Sequence, residues 1–264
     1  ALVSDTLAAC PPAVILNATS FAVSQPGKAV DGPFAASDRP VLQVVFSSGA
    51  REAWENGTRG LGPRDIAMHV ALPEIDGRLL TRAVSFRGDG TWDEATECPV
   101  VAPEPVPDRV AHVADLAAAW ARLAATPPAE RRIALVLANY PTKEGRLGNG
   151  VGLDTPAATV AILRALAGAG YAVDGIPADG DALMRRLAAG PTNALDGRTE
   201  KTGGETLALT DYARFLAAVP DAARRTVTVR WGAPEADPHV EGDRFRLAAH
   251  RLGNVAVAIQ PARG

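Results

Sequence analysis

The sequence predicts an α/β fold, and three observations carry that prediction. Apolar runs recur with polar or small residues at their C-terminal ends, as in VIL at 14–16, VLQVVFSS at 41–48 and IALVLAN at 133–139. Amphipathic stretches alternate with them. Between residues 131 and 177 an apolar run, a loop, a helical pattern and the run YAVDGIP follow one another, a βαβ order that implies a parallel sheet. A proline-rich stretch at 99–108 divides the chain. The expected architecture is therefore two Rossmann-like lobes with mainly parallel sheets. Residues 1–100 would form a lobe carrying LPEIDG, and 108–264 a second with a Gly-rich loop at 139–156.

Each element has a local reason. LVSDTLAAC (2–10) has helical spacing, and PPAVILNAT (11–19) runs a short buried strand into a polar loop. VLQVVFSS (41–48) repeats that logic, with SSGA as a strand-to-helix turn, and REAWENG (51–57) reads as a helix stopped by Gly57. Residues 62–78, GPRDIAMHVALPEIDGR, fit two readings. Pro63 suits the first turn of a helix, while Ile66, Met68 and Val70 alternate as in a strand. LLTRAVSF (79–86) alternates as a half-buried strand. PVVAPEPVPD (99–108) holds four prolines and reads as a stiff linker.

Beyond it, DLAAAWARLAAT (115–126) sets Leu116, Trp120 and Leu123 on one helix face. RRIALVLANYP (131–141) is a strand, and TPAATVAILRALAGAG (155–170) a helix with Thr155 as N-cap and Pro156 in its first turn. DALMRRLAAG (181–190) and TDYARFLAAVP (210–220) read as amphipathic helices, the latter capped by Thr210. TNALDGRTEKTGGETL (192–207) reads as a mobile loop, and VTVRWG (227–232) and VAVAIQP (255–261) as strands.

Composition narrows the function. The chain has 264 residues, 47% of them hydrophobic, and a net charge of −3, which points to neither nucleic acid nor a membrane surface as partner. No apolar run reaches the ~18 residues a membrane-spanning helix needs. Cys10 and Cys98 are too few for a disulfide framework and read as reduced thiols in a cytoplasm. The chain lacks an initial Met and stops just after an apolar strand, as a portion of a longer protein would.

The loop NYPTKEGRLGNGVGLDTP (139–156) resembles a phosphate cradle but fails both tests. Lys143 precedes Gly145, Gly148, Gly150 and Gly152, and no Gly-Lys-Ser/Thr follows. Its only GxG lies well past the strand. Its place at a strand's carboxyl end is nevertheless where open α/β sheets gather ligands. In LPEIDG, Asp76-Gly77 is an ordinary turn pair, whereas Glu74 has no turn role. Of His69, His112, His239 and His250, none lies three to five residues from another, and no CxxC occurs, so no tight metal site is written here. His69 stands five residues before Glu74. GxSxG is absent, so no nucleophile elbow is present. Arg51, Arg59, Arg64, Arg78, Arg82 and Arg87 crowd one region, suited to clamping carboxylates or to a solvated face.

LNATSFAVSQPG, PVLQVVFSSGAREAW, RGLGPRDIAMHVALPEIDGR, NYPTKEGRLGNGVGLDTP and LGNVAVAIQPARG together resemble the large subunit of the aerobic cobaltochelatase (CobN type), in a family that includes the magnesium chelatase large subunit. The resemblance covers almost the whole chain in order. Family members are several times longer, so it implies an internal portion. It also implies a tetrapyrrole-binding subunit of a metal chelatase. Partner AAA+ motor subunits bind and hydrolyse ATP, which this segment does not. In the cobalt branch Co2+ enters hydrogenobyrinic acid a,c-diamide on the way to cobalamin; the alternative is Mg2+ into protoporphyrin IX. Glu74 matches the acidic position of the family motif, which implies a base that also passes the metal transiently, with His69 assisting. Arg64, Arg78, Lys143, Arg146 and Asn149 are the expected substrate-binding residues. The competing reading of another class is a two-lobed small-ligand-binding module without chemistry, which needs no acid aimed at its ligand.

Overall fold

The computed structural model describes residues 2–22, 34, 37–139 and 147–261. The chain divides into two compact units, Ala1–Thr126 and Pro127–Gly264.

In the first unit, α1 (Leu2–Ala9) precedes β1 (Ile15–Asn17) and the long strand β2 (Val41–Ala50), which turns into the short helix α2 (Arg51–Glu55). Residues 62–78 resolve in favour of helix. Pro63 opens α3 (Pro63–Ile66), a π-helical turn spans Ala67–Ala71, and α4 (Leu72–Ile75) completes the segment. Strands β3 (Leu79–Arg87), β4 (Thr91–Asp93), β5 (Cys98–Val100) and β6 (Pro103–Pro105) and helix α5 (Pro107–Ala125) follow. The sheet order is β1-β2-β3-β6. The first three strands are parallel, and β6 runs antiparallel to β3. Val45, Ala83, Phe86 and Val106 form one core cluster, and Val44, Val84 and Val113 another.

The proline-rich stretch is therefore sheet rather than spacer. Pro103 and Pro105 stand on the edge strand β6, where a missing N–H breaks no ladder, while Pro99 lies in β5 and Pro107 opens α5; Val106 N–H bonds Val84 O at 2.8 Å. Helix α5 starts at Pro107, earlier than Asp115, and docks back on the sheet. Val113 and Ala117 are buried, and the Arg109 guanidinium lies 4.7 Å from the Trp54 ring centre. For that reason the division between units falls at Thr126/Pro127 rather than at 100–108.

The second unit contains β7 (Ile133–Leu137), α6 (Thr155–Gly168), α7 (Gly180–Ala189), β8 (Glu205–Ala208), α8 (Leu209–Ala218), α9 (Asp221–Trp231), β9 (Val240–Glu241), β10 (Arg244–Leu247), β11 (Ala249–Leu252) and β12 (Val255–Ile259). Strand β12 pairs parallel to β7 and antiparallel to β11. Its alternation turns Val255, Val257 and Ile259 onto Leu163, Leu183 and Leu187 of α6 and α7. β8, β10 and β9 form a separate antiparallel sheet.

The fold is thus mixed α/β, and only part of its sheet structure is parallel. Three local expectations give way. YAVDGIP is not a strand; after Gly170, at φ 85°, the chain passes outside the ladder, and β7 takes β12 as its parallel neighbour. VTVRW ends helix α9, because the helix set up from Asp221 continues through it, with Thr226 and Thr228 hydroxyls donating to carbonyls four residues back. The stretch 192–207 is built into the fold. Arg198 is buried and β8 pairs with β10.

Candidate functional site

The helical segment 63–75 of the first unit carries the motif residues and is tied to the sheet at both ends. At its start, Pro63 occupies the first turn, where a missing N–H leaves no bond unmade. Asp65 then turns inward and is only 2% exposed. Its carboxylate accepts from Ser47 Oγ at 2.7 Å, Ser48 Oγ at 2.8 Å and the Ser48 backbone N–H at 3.0 Å. Burial alone would push this carboxyl up. The bonds from Ser47 and Ser48, with His69 nearby, outweigh burial and hold Asp65 below the usual carboxylate range.

Pro73 shapes the middle. It has no N–H, and its ring would crowd the carbonyl four residues back, that of His69. The chain answers with the π-turn, in which Leu72 N–H bonds the carbonyl of Ala67. Met68 O is thereby left without a helical donor. Leu72 is already engaged, and the fifth residue on is Pro73. Phe21 N–H, from the loop after β1, fills the gap at 3.0 Å.

At the far end Gly77, at φ 70°, closes a Schellman motif: Gly77 N–H bonds Glu74 O at 2.9 Å and Arg78 N–H bonds Pro73 O at 3.3 Å. Arg78 is 5% exposed. It pairs with Asp76 at 2.7 Å and donates through Nη1 to Thr19 O at 3.2 Å and Gln43 Oε1 at 3.3 Å. Thr19 O also accepts from Gln43 Nε2 at 3.0 Å and Asn17 Nδ2 at 3.3 Å. One buried network thus joins the loop after β1, the start of β2 and the end of the motif helix.

Against this background two side chains keep groups without a hydrogen-bond partner among the described residues. Glu74 is exposed, and its carboxylate makes no hydrogen bond or ion pair among the described residues. His69 is half-buried, and its Nδ1 is buried without a hydrogen-bond partner among those residues. Arg64 is exposed on α3. Arg78 lies inside the network, its guanidinium turned to its own chain.

In the second unit, the described part of the Gly-rich loop is anchored close to β7. Gly148 N–H bonds Ala138 O at 2.8 Å, and Leu147 bridges Asn139. Asp154, not Thr155, caps α6, accepting from Ala157 N–H at 3.0 Å. Asn149, Val151 and Leu153 are exposed. Lys143 and Arg146 lie outside the described residues. Among the described residues no three His, Cys, Asp or Glu side chains gather to hold a metal ion, and no helix is long and apolar enough to cross a membrane.

Sequence reading brought out Glu74 and His69 but missed Asp65, Ser47, Ser48 and Phe21. A signal existed for Asp65: it stands four residues before His69, so a helical reading of 62–78 puts both on one side. No local pattern marks the bond from Phe21 to Met68.

The CobN/Magnesium Chelatase family model matches residues 3–264. A protein described as aerobic cobaltochelatase subunit CobN, from Sinorhizobium sp, is 52% identical over 254 residues, 96% of this chain and 20% of that relative. A magnesium-chelatase subunit from Rhodobacter capsulatus is 25% identical over 247 residues, covering 90% of this chain and 20% of that protein. Among solved structures, the catalytic subunit of cobaltochelatase from Mycobacterium tuberculosis superposes with a TM-score of 0.78 at 31% identity, over 99% of this chain and 22% of that one. The chain therefore spans about a fifth of the length of the relatives it matches.

Proposed function

We propose, from the fact that this chain belongs to the CobN/magnesium chelatase family, that it forms part of the tetrapyrrole-handling subunit of an ATP-dependent cobaltochelatase. The substrates are Co2+ and hydrogenobyrinic acid a,c-diamide, and the product leads to cobalamin. AAA+ motor subunits bind and hydrolyse ATP, and the complex works in the cytoplasm. Magnesium insertion into protoporphyrin is the second reading; identity of 52% to a CobN subunit against 25% to a magnesium-chelatase subunit favours cobalt.

The observation that carries the chemistry is Glu74, an uncommitted carboxylate on a helix tied down at both ends. A tetrapyrrole must release its inner N–H protons as a divalent metal enters. Glu74 takes a proton from the ring and offers a hard oxygen to the incoming cation. His69 supplies a softer, transient ligand or relays the proton onward. Loose holding suits a metal that must be passed on. Arg64 meets the substrate's peripheral carboxylates and amides; Lys143, Arg146 and Asn149 are assigned to the substrate by residue type and loop position alone. Arg78 contributes by holding the loop after β1 against the motif helix.

Glu74→Gln in the full-length protein tests this. The variant binds tetrapyrrole with wild-type affinity, followed by absorbance, but loses metal insertion with the partner subunits present. Insertion at the wild-type rate would remove Glu74 from the role of base.

A further inference from the structure

Phe21 is the one apolar residue at positive φ among the described residues. Its φ is 68°, and the other two non-glycine cases, Asp38 and Glu97, are polar. A bulky side chain in the left-handed region is strained, and such strain persists only where the surroundings over-determine it. Here they do. Thr19 O, two residues earlier, accepts from three side chains, and Phe21 N–H is held by Met68 O, the carbonyl freed by the π-turn. Glycine would adopt this backbone without strain. Yet the position carries an aromatic residue, which is 57% exposed and belongs to neither core cluster of its unit. The strained backbone therefore holds a large apolar face in solvent, tethered one residue from His69 and on the helix that carries Glu74.

We propose that Phe21 is a substrate-binding residue, its ring a platform for the apolar face of a conjugated macrocycle lying over the His69–Glu74 helix. The inference rests on the tetrapyrrole reading above and adds to it the group that sets the height of the macrocycle over the acid. Ring-to-ring contact needs offset or edge geometry and gains free energy beyond simple burial, so an aromatic residue serves where an aliphatic one of similar size does less.

The test titrates the full-length protein with hydrogenobyrinic acid a,c-diamide, followed by absorbance. Phe21→Tyr keeps wild-type affinity. Phe21→Leu weakens binding by about fivefold and Phe21→Gly by about tenfold, the range expected for one lost aromatic contact. Phe21→Gly also keeps or raises the melting temperature, because the strain is relieved. Wild-type affinity in both Phe21→Leu and Phe21→Gly would overturn the proposal. So would a lower melting temperature in Phe21→Gly, which would mean that the ring packs within the fold. If the wild-type protein itself does not bind the macrocycle, the tetrapyrrole reading fails, and this inference with it; if it binds and the variants match it, only the role of Phe21 fails.

Discussion

Removing the Asp65 carboxylate should loosen the motif helix by an amount the structure sets. Asp65→Ala leaves the Ser47 hydroxyl, the Ser48 hydroxyl and the Ser48 N–H without their acceptor. At about 1 kcal/mol or more for each buried donor left unpaired, the loss is about 3 kcal/mol. Asp65→Asn keeps one acceptor oxygen, and a serine hydroxyl can rotate to accept from the new amide, so the loss is about 1–2 kcal/mol. The acid dependence has a definite sign. The folded-state pKa of Asp65 lies below its ordinary value of 3.8. The charge therefore contributes stability that is fully present above the unfolded-state value and is lost as pH falls through the folded one. Urea unfolding of wild type and Asp65→Asn at pH 7 and in steps below pH 4 checks both statements. The gap between them is largest at pH 7 and closes on acidification. Equal stability at pH 7, or a gap that does not close in acid, would refute the role assigned to this carboxylate.

Two further outcomes follow from the packing. Pro73→Ala lets the segment regularise, with Leu72 N–H moving to Met68 O and Phe21 N–H losing its acceptor; stability changes by less than about 1.5 kcal/mol because a regained backbone bond offsets the lost ring burial. Hydrogen exchange reads it directly, since the Phe21 amide loses protection; an amide as protected as in wild type would show that Pro73 does not maintain the π-turn. Gly190→Ala drives a methyl group into His250 Nε2 and Cε1 and costs about 2 kcal/mol in urea unfolding. Combined with His250→Ala, the double variant is less destabilised than the sum of the single changes; strict additivity would place the clash elsewhere.

Much of this architecture is legible locally. The runs at 41–48, 79–86, 133–137 and 255–259 are strands, and the periodic stretches at 155–168, 181–189 and 210–218 are helices, because period-2 and period-3.6 patterns report directly which faces are buried. The LPEIDG and Gly-rich strings likewise identify the family, and the family model covers the same span. Glu74 and His69 stand out as residue types without a turn or metal-cluster role.

Other features are not local. VTVRW alternates like a strand but sits in a helix started upstream, and YAVDGIP is apolar enough for a strand whose place beside β7 is taken by β12. Pro103 and Pro105 look like part of a spacer until β3 offers an edge on which their missing N–H groups do no harm. The site follows the same division. The residues of the motif helix, its opening proline and its closing glycine can all be read along the chain. Folding in three dimensions was needed to bring Ser47 and Ser48 to Asp65, to reach Arg78 back to Thr19, and to set Phe21 against the carbonyl freed by Pro73. Those bonds join residues 17 to 59 positions apart, and local periodicity carries no record of which distant donor will meet an orphaned acceptor.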